Sequence, residues 1–293
     1  MFRKIVFIGG LLLLTLGVGC QTAVPEPIEL PVTVEVTRVV EVPVEQPAPE
    51  APSFNPMFPV EFSTLKSAVT NREYAITVIL PMTYTTSEAS YPVIYVTDGD
   101  FYAIPLGMAA GQLAFGQEIP EFIVVGVDYG SPNVMEWVEL RDKDMGAGGH
   151  QRFLQFFADE LIPHIEATYR TDPANRTLAG HSAGGDFALF AWLNGAGTFG
   201  NFIASSPGDV GNFSDGLGNM ATNQDTGTAK LYVSVGELDA ATTVAGAETF
   251  AAALAEMDME GLAYKTAVLD GETHFSARPR AFMNGLRWLF ANE

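Results

Sequence analysis

From about residue 57 onward, hydrophobic and polar positions alternate between two periods. "REYAITVILP" and "YPVIYVTDG" are strand-length apolar runs, the second ending in a turn. "EFIVVGVDYG" is continuous and apolar enough to be buried on both faces of a sheet. "HQRFLQFFADELIPHIEATY" instead places Phe153, Phe156, Phe157, Leu161 and Ile165 at helical spacing. A strand in "RTLAGHS" follows, then a helix through about 195, then the strands "NFIASSP" and "AKLYVSVGELD". A helix over about 241–258, the strand of "LAYKTAVLDGETH" and a closing helix through "PRAFMNGLRWLF" complete the series. Repeated strand-then-helix units predict an α/β fold: a mostly parallel central sheet, right-handed crossovers and helices on both faces. No internal repeat is visible, so residues 57–293 read as one domain.

The first 56 residues lack both periods. Arg3 and Lys4 precede "IVFIGGLLLLTLGVGC", which has the basic start, apolar stretch and small-residue end of a secretory signal over residues 1–20. The apolar stretch is short for a membrane span. Small residues directly before Cys20 resemble a lipoprotein cleavage box, with Leu16 one position further out than that box prefers. Cys20 is therefore a candidate lipidation site, with a plain secretory signal as the alternative. Residues 21–56, rich in Pro, Val and Glu, read as an extended stalk. At about 3.1 Å per residue it would reach roughly 100 Å. The alternation in "VTVEVTRVVEV" would also suit an edge strand. The location expected is extracellular: a bacterial cell-surface lipoprotein or a secreted protein.

Composition narrows the function. At 293 residues, 47% hydrophobic and 17% charged, the chain can bury one sizeable core. A formal net charge of −20 argues against nucleic acid and anionic membrane surfaces as partners, leaving the lipid anchor as the one expected membrane contact. A single cysteine excludes an internal disulfide framework and a cysteine-based zinc cluster. Neither His-x-x-x-His nor Gly-x-x-x-x-Gly-Lys occurs, so no metal or other cofactor is implied.

The chemistry converges on "RTLAGHSAGGDFALF". A chance Gly-x-Ser-x-Gly is expected about 0.2 times in a chain this rich in glycine, so context must carry the reading. Ser182 lies between the short strand "TLAG" and a helix starting near Gly185, the strand–turn–helix setting of a nucleophile elbow; an ordinary glycine-rich turn is the alternative. Gly180 and Gly184 let strand and helix approach a serine held in strained backbone, and Ala183 N–H then opens the helix toward an oxyanion.

A serine hydroxyl needs a base, and the chain holds four histidines. His181 sits inside the elbow, His164 within a helix before it, and His150 in a loop earlier still. His274, straight after the last strand, suits the chain order nucleophile, acid, base. The acid then falls in "LYVSVGELDAA", with Asp239 favoured over Glu237 as the residue that holds the imidazole tautomer. A second oxyanion donor belongs in the loop after "VIYVTDG", where the Asp100 N–H is the candidate.

These pieces resemble the esterase D-like family of α/β-hydrolases, and within it the siderophore-esterase-like branch. The resemblance rests on "YPVIYVTDGDFY", "ELRDKDM", "FLQFFADELIPHIEATYRTDPANRTLAGHSAGGDFALFAWL", "FIASSPG", "VSVGELD" and "GETHFS", spanning about residues 72 to 290. It implies an α/β-hydrolase fold, Ser182 as nucleophile, His274 as base, Asp239 as acid, and Asp100 and Ala183 as oxyanion amides. Two departures stand out. The branch often carries Arg-x-x-Asp, Thr-Pro and a substantial insertion, whereas "LRDKDMGAGGHQRF" runs almost directly into the next helix. Arg141 keeps a candidate substrate contact, but a siderophore pocket built on that insertion is missing. The residue after Gly99 is also acidic, so the Asp100 carboxylate must point away from an oxyanion.

The leading expectation is a serine carboxylic-ester hydrolase working on a small-molecule ester through an acyl-enzyme. Acyl transfer of the mycolyltransferase type, and a non-catalytic surface binding protein on the same scaffold, are the alternatives.

Overall fold

The computed structural model describes residues 57–146, 148–208, 210, 213, 217, 229–257 and 261–291. The expected signal, stalk and Cys20 lie outside them. Eight strands form one sheet in the order β1-β2-β4-β3-β5-β6-β7-β8. They are β1 (Val60–Ser67), β2 (Arg72–Ile79), β3 (Tyr91–Thr97), β4 (Ile123–Asp128), β5 (Thr171–His181), β6 (Asn201–Ser205), β7 (Ala229–Gly236) and β8 (Leu262–Leu269). β1 and β2 run antiparallel to their neighbours and the other pairings are parallel. The mostly parallel α/β sheet expected from the pattern is the one observed.

The sheet is covered on both faces because its central strands are apolar on both. In β3, Tyr91, Val93 and Tyr95 enter one core while Ile94 and Val96 enter the other. Helices α1 (Gly99–Phe115) and α7 (Ala277–Phe290) cover the second face, contributing Tyr102, Leu106, Phe282 and Leu286. Helices α3 (His150–Phe156), α4 (Ile162–Thr168), α5 (Ala183–Asn194) and α6 (Ala241–Glu256) cover the first. All five apolar positions of the spacing Phe153 to Ile165 are at most 1% exposed. The helical run predicted there is interrupted by a π turn, Phe157–Leu161, in which Ile162 N–H donates to the Phe157 carbonyl. Pro163, lacking an N–H, cannot continue the ladder at the next residue, which favours the wider turn.

Three elements were not expected. β1 is an edge strand with mostly exposed positions, so its pattern carries little periodicity. Helix α1 is apolar around most of its circumference and contains Pro105, and both features hide a helical stripe. Helix α2 (Val134–Met145) is opened by Asn133, whose side chain accepts from Met135 N–H at 3.0 Å. Arg141 therefore stands on a helix, not on a loop.

Candidate active site

The site gathers at the carboxyl ends of the parallel strands, where α/β sheets leave open ground. β5 ends at His181, and Ser182 turns the chain into α5 with φ 58° and ψ −126°. A non-glycine residue in that region is strained and needs support from its surroundings. Ser182 N–H donates to the Ser205 carbonyl at 2.9 Å, and the Ser182 carbonyl accepts from Asp186 N–H at 3.0 Å. Two glycines make the turn sterically feasible. A Cβ on Gly180 would run into the Gly184 carbonyl, and one on Gly184 would run into Thr97 Oγ1. Ala183 is the first residue of α5, so its N–H is among the donors that the helix itself leaves unused.

β7 and β8 lie side by side and deliver the next pair. His274 Nδ1 stands 3.0 Å and 3.1 Å from the two Asp239 carboxylate oxygens, and the Asp239 side chain is 3% exposed. Asp239 also accepts from Ala240 N–H at 2.8 Å. Leu238 N–H donates to the Glu272 carbonyl at 2.8 Å, tying the two loops together. Gly236 permits that approach, since a Cβ there would press on the Glu272 and Thr273 carbonyls. Glu237 is turned elsewhere: its carboxylate accepts from Gly271 N–H at 2.8 Å and is exposed. His274 reaches the elbow through His181, the two ring centroids being 4.8 Å apart. No hydrogen bond joins Ser182 Oγ to His274 among the described residues; such contacts often tighten only when substrate is bound.

The other histidines have separate tasks. His150 Nε2 meets the Met145 carbonyl at 2.9 Å, and its ring packs on Phe187 and Phe190. His164 is exposed on α4. His181 is 1% exposed, its Nδ1 lies 3.0 Å from Ser205 Oγ, and its buried Nε2 has no hydrogen-bond partner among the described residues. Burial, reinforced by the neighbouring His274, pushes its pKa down to about 3, so it is neutral at physiological pH.

On the other side of the elbow, α1 begins at Gly99 behind Asp98, whose φ of 55° and ψ of 49° are left-handed. Asp100 is the second residue of α1, its N–H in the first turn and its side chain exposed. The Asp98 carboxylate is 1% exposed and is gripped by Arg141, Nε to Oδ1 at 2.7 Å and Nη2 to Oδ2 at 2.9 Å. Arg141 Nη2 also donates to the His181 carbonyl at 3.4 Å, and its guanidinium stands 5.5 Å from the Trp137 ring centre. Burial raises the Asp98 carboxyl above the ordinary range, and the Arg141 hydrogen bonds and charge oppose that rise. Asp98 is a site residue that the sequence reading did not single out. Its one available signal was its place before Gly99 at the end of an apolar strand.

Three large apolar side chains are exposed immediately beside these groups: Phe101 at 56%, Leu238 at 62% and Phe275 at 72%. Phe101 meets Trp137 edge-on with ring centroids 5.3 Å apart, and Phe275 meets His274 in the same way at 5.2 Å. Among the described residues no group of three or more His, Cys, Asp or Glu side chains could hold a metal ion.

Sheet order, strand–turn–helix elbow and strand-end acid–imidazole pair together define an α/β-hydrolase. Residues 67–267 match the model of the Esterase family, and the chain belongs to that family. Among its relatives is the ferri-bacillibactin esterase of Bacillus subtilis (strain 168), 28% identical over an alignment of 167 residues, gaps included, that covers 50% of this chain and 57% of the relative. The apo-salmochelin esterase of Escherichia coli O6:H1 is 26% identical over an alignment of 151 residues, gaps included, that covers 46% of this chain and 47% of the relative. The chain thus spans about half the length of these two curated relatives. Among solved structures, the BES protein of Bacillus cereus superposes with a TM-score of 0.71 at 27% identity, covering 80% of this chain and 95% of that one. An IroE-like serine hydrolase of Shewanella oneidensis shares the fold at a TM-score of 0.71 and 23% identity, covering 79% of this chain and 80% of that one.

Proposed function

We propose that the protein is a serine carboxylic-ester hydrolase that works through an acyl-enzyme on Ser182. The observation that carries the reading is the strained Ser182 turn at the head of α5, with the His274–Asp239 pair reaching it through His181. In this reading His274 Nε2 removes the Ser182 Oγ proton as the oxygen attacks the ester carbonyl carbon. The tetrahedral oxyanion is held by the Ala183 and Asp100 N–H groups. Asp239 accepts the Nδ1–H bond and stabilises the imidazolium without taking its proton. Collapse breaks the carbon–oxygen bond to the alcohol, which leaves with the proton from His274. Water, deprotonated by His274, then attacks the acyl carbon and releases the acid and Ser182.

Phe101, Leu238 and Phe275 border Asp100, Asp239 and His274 in the chain, so an apolar or aromatic part of the ester would rest on them. The relatives named for ferri-bacillibactin and apo-salmochelin lend support to an ester of the siderophore kind. The short connection from α2 to α3 argues for an open site in place of a pocket built on an insertion. Export with anchoring through Cys20 is part of the proposal and rests on the sequence of residues 1–20. Mass spectrometry of the mature amino terminus tests it, and an unmodified Cys20 would sink the anchor.

The decisive experiment for the chemistry is stoichiometric labelling by a serine-directed phosphonate. Wild-type protein takes up one equivalent and Ser182→Ala none. Labelling that survives in Ser182→Ala refutes the nucleophile.

A further inference from the structure

We infer that Arg141 is a positioning residue for the oxyanion-binding amides, clamping the turn that carries Asp100 to the turn that carries Ala183 and neutralising the buried Asp98 carboxylate between them. The inference rests on the reading of Ser182 as nucleophile and concerns a residue that this mechanism does not use.

The argument begins with what Asp98 does to the backbone. Its left-handed conformation turns the end of β3 into α1, and its carbonyl accepts from Phe101 N–H at 3.0 Å and Tyr102 N–H at 3.1 Å. The direction of the Asp100 N–H is therefore set by the conformation of Asp98. Left-handed backbone is unfavourable for a residue with a side chain, so something must hold it. The two-pronged Arg141 contact does so, since a fork on both carboxylate oxygens fixes orientation as well as distance. The same guanidinium reaches the carbonyl of His181, the residue before the nucleophile. One side chain thus spans the two turns whose amides must point at a common oxygen. Helix α2 supplies it from outside the sheet, although 43 residues separate Arg141 from Asp98 in sequence and 40 separate it from His181.

Charge gives a second reason. A Cβ built on Gly184 would stand 3.6 Å from Asp98 Oδ2, so the carboxylate lies against Gly184 in the first turn of α5, the residue after Ala183. An uncompensated anion there would oppose the negative charge that develops on the substrate oxygen. The other ionisable groups around Asp98 are Arg278 from α7, Tyr102 from α1, and Asp128 and Tyr129 at the end of β4. Arg278 acts on Asp98 through its charge alone, while its guanidinium lies 4.0 Å from the Tyr102 ring centre. Arg141 is the cation in hydrogen-bond contact.

The test uses an uncharged ester, p-nitrophenyl acetate, across about pH 6 to 9, with phosphonate labelling run in parallel. Absent labelling and turnover in the wild type would refute the Ser182 reading and not this one. In Arg141→Met, kcat should fall by about tenfold to a hundredfold with KM nearly unchanged. The loss should deepen as pH rises, because removing the cation raises the Asp98 carboxyl further and leaves its charge uncompensated as it ionises. Arg141→Lys, which keeps the charge and loses the fork, should lower kcat without adding that alkaline limb. The pair Asp98→Asn with Arg141→Met removes both the buried charge and the fork, so it should restore the wild-type pH profile while kcat stays near the level of Arg141→Lys. A raised KM with kcat preserved would make Arg141 a substrate contact and overturn the inference. So would a folded double variant that keeps the alkaline loss of Arg141→Met. If Arg141→Met does not fold, Arg141→Lys and the double variant decide by the same criteria. If none of the three folds, the clamp holds the whole domain and the assignment to the amides fails.

Discussion

His181 should make the protein measurably acid-sensitive. It is 1% exposed, its Nε2 has no partner among the described residues, and burial depresses its pKa to about 3. In the unfolded chain the same group titrates near 6.5. A depressed folded pKa means that the unfolded state binds the extra proton first. Stability is therefore unaffected above the unfolded value and falls as pH drops from about 6.5 toward about 3. Each pH unit inside that window is worth up to about 1.4 kcal/mol, so acidification from pH 7 to pH 5 should cost about 2 kcal/mol through this residue. Asp98, Asp128 and Asp144, whose carboxyls are raised by burial, act with the opposite sign: their stabilisation is present at low pH and is lost as pH rises through their folded values. Comparison with a variant cancels them. His181→Asn keeps a polar atom near the Nδ1 position opposite Ser205 Oγ and has no proton to gain. Urea midpoints at pH 7 and pH 5 give the two slopes. The wild type should lose about 2 kcal/mol more than the variant between them. Equal losses would show that His181 is not held neutral by burial and would refute the reasoning.

The carboxylate pair in the β7 loop allows a second comparison: Asp239→Asn should lower kcat by about 10² to 10⁴, whereas Glu237→Gln should cost less than about threefold. Steady-state ester hydrolysis checks this, and a crippled Glu237→Gln would reassign the acid. Gly180→Ala should lower thermal stability by roughly 3 kcal/mol, about 10 °C, because its Cβ meets the Gly184 carbonyl, while Gly200→Ala has open space and should change the melting temperature little. Calorimetry of both variants decides, and equal melting temperatures would contradict the close approach of β5 and α5.

What the sequence made legible was what its chemistry fixes locally or by chain order. The turn at Ser182 needs glycine on either side, and the glycines stand in the same short stretch. The contact of Asp239 with His274 was legible because parallel neighbours β7 and β8 end side by side. Phe153 to Ile165 were legible as a buried stripe, though not the π turn within it, since Pro163 is also compatible with the start of a new helix. β1 was hidden by its exposure at the sheet edge, and α1 by the lack of a polar face. The Asp98–Arg141 pair was hidden for a different reason. Neither residue carries a local pattern, and their meeting depends on where α2, itself unrecognised, packs against the end of β3.

Under the proposed function, that pair bears on how so acidic a chain would stabilise an oxyanion. Asp98, Asp100 and Asp128 all stand at the strand ends or in the helix turn around the proposed oxyanion site. Each is handled differently. Asp100, the proposed amide donor in the first turn of α1, leaves its carboxylate exposed to solvent, where its field is screened. Asp128 is folded back onto its own loop, accepting from the N–H groups of Tyr129 and Gly130. Asp98 has neither outlet: it is buried, no backbone N–H donates to its carboxylate among the described residues, and it takes the Arg141 guanidinium instead. The acidic residue after Gly99, which stood in the sequence as a departure needing explanation, is thus the easiest of the three to accommodate. The electrostatic demand falls on Asp98, one residue before that glycine, and so on a helix that the sequence pattern did not reveal.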